Sequence, residues 1–277
     1  MATKILNGRE LAGFVKERQA HVVKMLRSNK IKAKLVIVRD SENPVITKYV
    51  NLKRRYGEDI GVEVEDVFVD CSGVDSEEKK AELISVVKKA SNDPEVHGII
   101  VQLPLVNKEW TDEVVAEIAP EKDVDGLTGK GNFDSATAGA INWLMAGYNI
   151  ELDGKKIAIV GKGRLVGMPL IKMWKNSGFN VTVFDSKSNV ADLINYDVIV
   201  TATGKPHLIK SEYVKPGAVI IDAGTASEDG VLVGDVDEAV RERKDLGAIT
   251  PKVGGVGPLT VGVLFEDVLS AASKTQK

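Results

Sequence analysis

The sequence is poor in the residues that make disulfides and metal sites. It has one cysteine, Cys71, and three histidines in 277 residues. A single cysteine excludes an intramolecular disulfide, and the scattered His21, His97 and His207 lack zinc-ligand spacing. The sequence shows no apolar run near the roughly 20 residues of a membrane helix, and MATKILNGRE lacks a signal-peptide core. These absences predict a soluble, reduced, cytoplasmic protein without a zinc site of that kind and without a membrane helix.

Neither sign of charge dominates the composition. The 37 basic and 40 acidic residues are interspersed and give a net charge of -3. Such a balance gives no electrostatic reason to expect a nucleic-acid partner. With 43% hydrophobic residues, the chain can bury a core in one or two domains.

Strand-like and helix-like segments alternate along the whole chain, which predicts an α/β fold with parallel sheets covered on both faces. The first series has predicted strands at 33–39, 62–69 and 96–103 and helices at 8–28, 44–59 and 75–91. The second has a helix at 136–147 and strands at 155–160, 180–184, 197–202, 218–223 and 247–250, before a final helix at about 259–273. We expect two lobes with a cleft between them: residues 1–134, with the helix of 259–277 packing back onto them, and residues 135–258.

The stretch IAIVGKGRLVGMP (157–169) is the clearest local motif. Gly161, Gly163 and Gly167 follow a predicted buried strand and precede a helix that starts near Val166. In a dinucleotide-binding turn the first glycine allows the tight turn, the second lets the backbone approach the pyrophosphate, and the third allows close packing. The helix N-terminus adds free N–H groups for phosphate. The spacing is one residue longer than the standard motif, so a glycine-rich turn without a ligand is the alternative.

Asp185 bears on the choice of dinucleotide. It ends the second strand of this series, 24 residues after Gly161. An acidic residue there commonly binds the adenosine ribose hydroxyls, which favours NAD and repels the 2′-phosphate of NADP. Against this choice stand Lys162, Ser186 and Lys187, whose side chains could hold that phosphate instead. Asp185 can equally be a solvated turn residue, so the sequence leaves NAD and NADP open.

Three stretches of the first lobe carry polar residues of interest. Tyr49 and Lys53 are four residues apart and share a helix face, where a lysine of lowered pKa can transfer protons. VQLPL (101–105) places Gln102 at a strand end, and PEKDVDGL (120–127) is a turn with two carboxylates. Taken alone, these residues are more often a surface pair, a strand-end amide and a capped turn.

Taken together and in order, the motifs resemble the methylenetetrahydrofolate dehydrogenase/cyclohydrolase (FolD-type) family. The resemblance covers nearly the whole chain and rests on ILNGRE, YVNLK, HGIIVQLPL, APEKDVDGL, IVGKGRLVGMP, ATGKP, PGAVIIDAG, VGDVD and GGVGPLT. It implies a homodimer of two-lobed chains, with folate bound against the first lobe and NADP or NAD on a Rossmann-type second lobe. It also implies oxidation of 5,10-methylenetetrahydrofolate to the methenyl form and hydrolysis of that form to 10-formyltetrahydrofolate, without a metal.

The resemblance also assigns roles to residues. Lys53 would transfer protons, Gln102 would set its protonation state, Tyr49 would stack near the folate, and Asp125 would grip the pterin, while Asp123 stays structural. The remaining predicted substrate-binding residues are Leu103, Pro104, Gly255, Pro258 and Leu259. The predicted cofactor-binding residues are Gly161, Lys162, Gly163, Arg164, Val166, Gly167, Asp185, Ser186, Lys187, Thr203, Gly204 and Thr225.

The chain departs from the family pattern at four places. Ile46 stands where members usually have serine, SATAG (135–139) replaces a proline-containing loop, the last loop carries Lys252 and Val253, and Asp185 stands where arginine or histidine is common. Three alternatives therefore stay open: a dehydrogenase without the cyclohydrolase step, a shikimate-dehydrogenase-like enzyme, and a nucleotide-binding regulator without turnover.

Overall fold

A computed structural model describes residues 2–72, 76–228 and 231–275. The chain forms two compact units, residues 14–136 with 261–277 and residues 1–13 with 137–260. We call them the three-stranded unit and the six-stranded unit after their main sheets. The predicted α/β class is confirmed, because both sheets consist of parallel strands with helices between them in the chain. The predicted domain boundaries stay a prediction, and the compact units differ from them in grouping residues 1–13 with the six-stranded sheet.

The three-stranded unit has a small parallel sheet. Its strands are β2 (Lys34–Arg39), β3 (Glu63–Phe68) and β4 (Gly98–Val101), and its helices are α2 (Pro44–Ile60), α3 (Glu77–Asn92) and α4 (Thr111–Val115). The strand order is β3-β2-β4, so β2 is central. The apolar run of β2 is buried from Leu35 to Val38, as expected for a strand covered on both faces. Three longer helices, α1 (Gly8–Ser28), α5 (Ala136–Gly147) and α8 (Val256–Lys274), include residues of both units.

Local signals fix the limits of α2, the helix that carries Tyr49 and Lys53. The side chain of Asn43 accepts a hydrogen bond from the N–H of Val45, and Pro44 occupies the first turn. Both features favour a helix start. The helix ends at Gly61, whose φ of 87° is the left-handed conformation that glycine adopts without strain.

The six-stranded unit has a parallel sheet of order β1-β11-β8-β7-β5-β6. Its elements are β1 (Lys4–Ile5), β5 (Ile157–Val160), α6 (Gly167–Asn176), β6 (Val181–Phe184), β7 (Val198–Thr201), β8 (Val219–Asp222), the hairpin of β9 (Ala226–Glu228) and β10 (Val231–Val233), α7 (Glu238–Arg241) and β11 (Ala248–Ile249). From β5 the chain goes to β6 on one side, and β7 then lies on the other side. Ligands of open α/β sheets bind beside the carboxyl ends of the strands at such a reversal.

The last helix differs from its prediction. It begins at Val256, within the glycine-rich loop, and by length and composition α8 is apolar enough to cross a membrane, contrary to the sequence analysis. However, 61% of its apolar window is buried. Within the three-stranded unit, Gln19 donates to the carbonyl oxygen of Gly262 at 2.7 Å, and the rings of Tyr56 and Phe265 stack at 5.0 Å. These contacts are those of a core helix.

Candidate active site

Lys53 and Gln102 form a direct contact in the three-stranded unit. Lys53 lies in the third turn of α2, and Gln102 directly follows β4. Nζ of Lys53 donates to Oε1 of Gln102 at 2.7 Å. Nε2 of Gln102 donates to the carbonyl oxygen of Leu103 at 3.3 Å, which keeps the amide oxygen towards the lysine. The structure thus brings together two residues that are 49 positions apart in the sequence.

The loop that carries Asp125 is anchored on both sides of it. Nζ of Lys122 donates to three carbonyl oxygens at the end of α3, at 2.6, 2.8 and 3.4 Å. The fully buried Asp123 accepts from the N–H groups of Leu127 and Thr128 and from the Thr128 hydroxyl, at 2.8, 2.9 and 2.6 Å. The carboxylate of Asp123 therefore holds the turn, and Asp125 is the acidic residue that interacts with Lys53.

Burial changes the ionisation of both charged groups. It lowers the pKa of Lys53, and the Asp125 carboxylate opposes this shift. Burial also raises the pKa of Asp125 to about 6, with Lys53 opposing the rise and Asp123 adding to it. Because a lysine with a lowered pKa is neutral more of the time near pH 7, it can accept a proton.

Tyr49 lies one turn before Lys53 on α2, so the two side chains share a face. Ile46, one turn earlier, is buried with 6% of its surface exposed. This position, where the resemblance leads one to expect serine, is part of the apolar core and supplies no hydroxyl. Leu103 and Pro104, predicted to bind substrate, follow β4 and are joined by a cis peptide bond.

Asp40 is a polar residue that the sequence analysis missed. It follows β2 and is fully buried, and its Oδ2 accepts the N–H of Val106 at 2.7 Å. This bond ties down the loop that begins at Gln102, and burial raises the pKa of the Asp40 carboxyl. The sequence signal that could have pointed to Asp40 is its position as an acidic residue directly after a buried strand.

The glycine turn of the six-stranded unit has the geometry of a phosphate-binding loop. Gly161 has a φ of 99°, and a Cβ at Gly167 would lie 2.2 Å from the carbonyl oxygen of Gly161, so α6 packs directly on the turn. A Cβ at Gly163 would meet no described atom within 4 Å, which leaves space beside the backbone. Among the described residues, no side chain caps the first N–H groups of α6. The N–H groups of Met168 and Leu170 donate to backbone carbonyl oxygens, so the fit to the pyrophosphate of a dinucleotide rests on the tight glycine turn and the space beside its backbone.

Asp185 and Lys162 pair with each other across the carboxyl ends of β5 and β6. Nζ of Lys162 donates to Oδ2 of Asp185 at 2.9 Å, and the N–H of Lys187 donates to its Oδ1 at 3.0 Å. The bond from Lys162 is the main reason that the pKa of Asp185 lies below its usual value. Asp185 is therefore ionised and oriented, with Ser186 and Lys187 exposed beside it.

The other predicted residues lie in loops or in the first turn of α8. Arg164 and Val166 are in the glycine turn, Thr203 and Gly204 follow β7, Thr225 follows β8, Gly255 precedes α8, and Pro258 and Leu259 are in its first turn. The structure places Thr203 close to Gly161, because a Cβ at Gly161 would lie 3.2 Å from Cγ2 of Thr203. Leu259 is fully buried, so it contributes to the core.

Asp267 on α8 is a second acidic residue that the sequence analysis missed. It is half-buried, and burial, followed by the charges of Glu266 and Asp125, raises its pKa to about 8. An acidic residue within the apolar stretch FEDVLSAA was the signal in the sequence that could have pointed to Asp267.

Comparison with known proteins decides the family. The model of the tetrahydrofolate dehydrogenase/cyclohydrolase catalytic domain matches residues 6–125, and that of the NAD(P)-binding domain of the same family matches residues 135–276. The chain belongs to the tetrahydrofolate dehydrogenase/cyclohydrolase family. The resemblance inferred from the motifs is confirmed, and a shikimate-dehydrogenase-like assignment is not supported.

Relatives in this family match over their full length. The bifunctional protein FolD of Lactobacillus delbrueckii subsp. bulgaricus is 38% identical, with 96% of each chain covered. The crystal structure of the bifunctional enzyme FolD from Campylobacter jejuni has 31% identity and a TM-score of 0.91, with 99% of each chain covered. The FolD of Trypanosoma brucei, complexed with NADP cofactor and inhibitor, has 28% identity and the same TM-score and coverage.

The residues described above support a different kind of chemistry in each of the two units. The lysine, amide and carboxylate of the three-stranded unit can hold and move a proton. The glycine turn of the six-stranded unit can bind a nicotinamide dinucleotide. Within residues 2–72, 76–228 and 231–275, no group of three or more histidine, cysteine or acidic side chains is arranged to hold a metal.

Proposed function

We propose that this chain catalyses two consecutive reactions of folate one-carbon metabolism. In the first, a hydride leaves the methylene bridge of 5,10-methylenetetrahydrofolate and gives the 5,10-methenyl cation. In the second, water adds to that cation, a proton is released, and 10-formyltetrahydrofolate forms. The observation that carries the proposal is the contact of Lys53 with Gln102 beside Asp125, in a chain whose two halves match this family.

The second reaction depends on the protonation state of Lys53. A permanently charged ammonium beside the methenyl cation would oppose its formation, since like charges repel. The lowered pKa lets Lys53 take the proton of the attacking water in its neutral form. Gln102 positions Nζ through the 2.7 Å bond, and Tyr49, on the same face of α2, packs against the folate.

Asp125 orients the substrate in this proposal. Its carboxylate accepts N–H groups of the pterin ring, a charge-assisted contact that fixes the ring relative to Lys53. Leu103 and Pro104 directly follow Gln102 at the same end of β4 and would border the pterin there.

The first reaction requires a dinucleotide in the six-stranded unit. When bound, the nicotinamide accepts the hydride. Gly161, Gly163 and Gly167 shape the pyrophosphate site with Arg164 and Val166, and Thr203, Gly204 and Thr225 border it from the neighbouring strand ends.

We propose that NAD is preferred over NADP. Asp185 is ionised, and Lys187 and Lys162 bond to its two carboxylate oxygens, so it can accept the ribose hydroxyls and repel a 2′-phosphate. Because Lys162 already pairs with Asp185, the positive charge of Lys162 is partly neutralised. Lys187 and Ser186 are the residues that would have to hold the phosphate of NADP.

Kinetics with purified protein test the proposal. Formation of reduced nicotinamide from methylenetetrahydrofolate is followed with NAD and NADP in parallel, and decay of the methenyl chromophore is followed separately. Both reactions are expected, with a higher kcat/KM for NAD.

Each alternative predicts a different result. Hydride transfer without methenyl decay above buffer would indicate a dehydrogenase that lost the second step, which the buried Ile46 favours. Dinucleotide binding without hydride transfer would indicate a regulator.

We further propose that the protein works as a cytoplasmic homodimer without nucleic-acid or membrane partners. The balanced charge gives no electrostatic reason for a nucleic-acid partner, the core packing of α8 argues against a membrane partner, and the family resemblance supports the cytoplasmic homodimer. Sedimentation equilibrium of the purified chain tests the dimer, and a monomer at micromolar concentration would contradict it.

A further inference from the structure

Asp235 lies under the carboxyl edge of the six-stranded sheet and is fully buried. Its Oδ2 accepts two hydrogen bonds, from the Thr201 hydroxyl at 2.6 Å and from the N–H of Thr203 at 2.7 Å. Thr201 ends β7, and Thr203 starts the loop that follows it. One carboxylate oxygen therefore fixes the point where the chain leaves β7.

The same carboxylate also lies against the loop after β8. A Cβ at Gly224 would lie 2.1 Å from Oδ1 of Asp235, so the glycine leaves the space that this oxygen fills. Within the described part of the chain, Oδ1 has no hydrogen-bond partner. Burying a carboxylate oxygen without a partner costs free energy, so the fold retains this contact at the expense of stability.

A second carboxylate holds Asp235 in place. Oδ1 of Asp222 accepts the N–H of Asp235 at 3.1 Å and that of Gly224 at 3.0 Å, and its Oδ2 accepts the N–H of Val236 at 3.1 Å. Arg241 donates to Asp222 and, at 2.8 Å, to the carbonyl oxygen of Thr250. Asp235 is thus fixed in a network that joins the ends of β7, β8 and β11.

The network reaches the glycine turn through Thr203. A Cβ at Gly161 would lie 2.6 Å from the carbonyl oxygen of Ala202 and 3.2 Å from Cγ2 of Thr203. The phosphate-binding turn therefore packs directly on the loop that Asp235 fixes. Displacing Thr203 would displace the support of Gly161.

We propose that Asp235 is a positioning residue for dinucleotide binding, which holds the loops after β7 and β8 in the arrangement that supports the glycine turn. It touches neither the dinucleotide nor the folate and acts through Thr203 and Gly224. The inference rests on the proposed use of this unit for a nicotinamide dinucleotide.

The test compares Asp235→Ala and Asp235→Asn with a matched control, Asp197→Ala. The carboxylate of Asp197 also accepts a hydrogen bond from a backbone N–H group, that of Lys156, at 2.8 Å. This contact lies at the amino ends of β5 and β7, at the opposite edge of the sheet from Asp235. The Kd for NADH by fluorescence, the KM and kcat for NAD, methenyl hydrolysis and thermal stability are measured for each variant.

Asp235→Ala is expected to raise the Kd for NADH and the KM for NAD by roughly tenfold or more, because charge-assisted bonds are lost. Methenyl hydrolysis should stay within about twofold of the wild type, since the lysine site belongs to the other unit. Asp235→Asn keeps an acceptor for Thr203 and should recover most of the affinity. Asp197→Ala should lower thermal stability without changing the Kd.

Unchanged Kd and KM in Asp235→Ala, or an equal change in Asp197→Ala, would overturn the inference. A wild type that does not bind NADH would instead refute the proposed function, so the two failures are distinguishable. If Asp235→Ala does not fold, the affinity of Thr201→Val for NADH tests the inference instead. This substitution removes one donor to Oδ2, and an affinity for NADH equal to that of the wild type would count against the inference.

Discussion

Both units contain carboxylates near their candidate sites, but the surroundings of these carboxylates differ. In the six-stranded unit, Asp222 accepts three backbone N–H groups and an arginine, and Asp185 accepts a lysine and an N–H group. In the three-stranded unit, Asp125 and Asp267 lie near other charges and have pKa values of about 6 and about 8. The carboxylates of the six-stranded unit hold backbone loops in place, and we propose that these loops bind the dinucleotide. The carboxyl groups of Asp125 and Asp267 have pKa values close to neutral pH, which suits proton-transfer chemistry.

The largest expected effect is on the proton-transfer chemistry of the three-stranded unit. Lys53→Met should slow methenyl hydrolysis by about 10³-fold, since general-base catalysis contributes about 10²–10⁴. The affinity for NADH should not change. Lys48→Met, at an exposed position of the same helix, is the control, and hydrolysis at the wild-type rate in Lys53→Met would refute the assigned role.

A second prediction concerns the backbone of the glycine turn. A methyl group at Gly167 would collide with the carbonyl oxygen of Gly161, so Gly167→Ala should lower both stability and dinucleotide affinity, the latter by roughly 100-fold. Gly163→Ala meets no described atom and should reduce affinity alone. Thermal melts and NADH titrations distinguish the two variants, and equal stability losses would argue against this division of roles.

A third prediction sharpens the role of Asp185. Asp185→Ser removes the charge that repels a 2′-phosphate and frees Lys162, so the ratio of kcat/KM for NADP to that for NAD should rise by roughly tenfold. The exposed Asp192→Ser provides the control. An unchanged ratio would mean that Asp185 only holds its own turn.

The smallest expected effect concerns stability and pH. The folded-state pKa of Asp267, about 8, exceeds its ordinary value of 3.8, so its favourable contribution is present at low pH and is lost as pH rises between these values. Asp267→Asn avoids burying the charge and should raise Tm by roughly 3 °C more at about pH 8 than at about pH 5. Differential scanning calorimetry at both pH values checks this.

The exposed Asp153→Asn should show no such difference. An equal gain in Tm at both pH values for Asp267→Asn would show that packing, and not charge, limits stability at this position.

The long periodic elements could be predicted from the sequence, but the short ones could not. β1 has two residues, both exposed, and no periodicity, because its place in the sheet comes from pairing with β11. The hairpin of β9 and β10 has three residues in each strand. The start of α8 was placed three residues late because GGVGP is typical of a loop.

The residues of the candidate site that lie in recognisable motifs could be predicted from the sequence. Lys53 and Gln102 were named from the sequence, and the structure shows their contact. Asp235 lies in VGDVD, a motif used for the resemblance, yet no spacing in the sequence indicates that its carboxylate reaches Thr201 and Thr203. Asp40 and Asp267 were visible as acidic residues beside apolar segments, but their burial and the charges around them depend on tertiary packing.

The units are divided within α1, α5 and α8, and this has a consequence for synthesis. Residues 261–274 of α8 are translated after every other described helix and strand, although they pack with Gln19 and Tyr56 near the start of the chain. On the ribosome, the three-stranded unit therefore lacks a core helix until the six-stranded unit has been made. A fragment that stops at residue 134 would expose the apolar surface that α8 covers, so neither unit can be expressed intact as one continuous piece of chain.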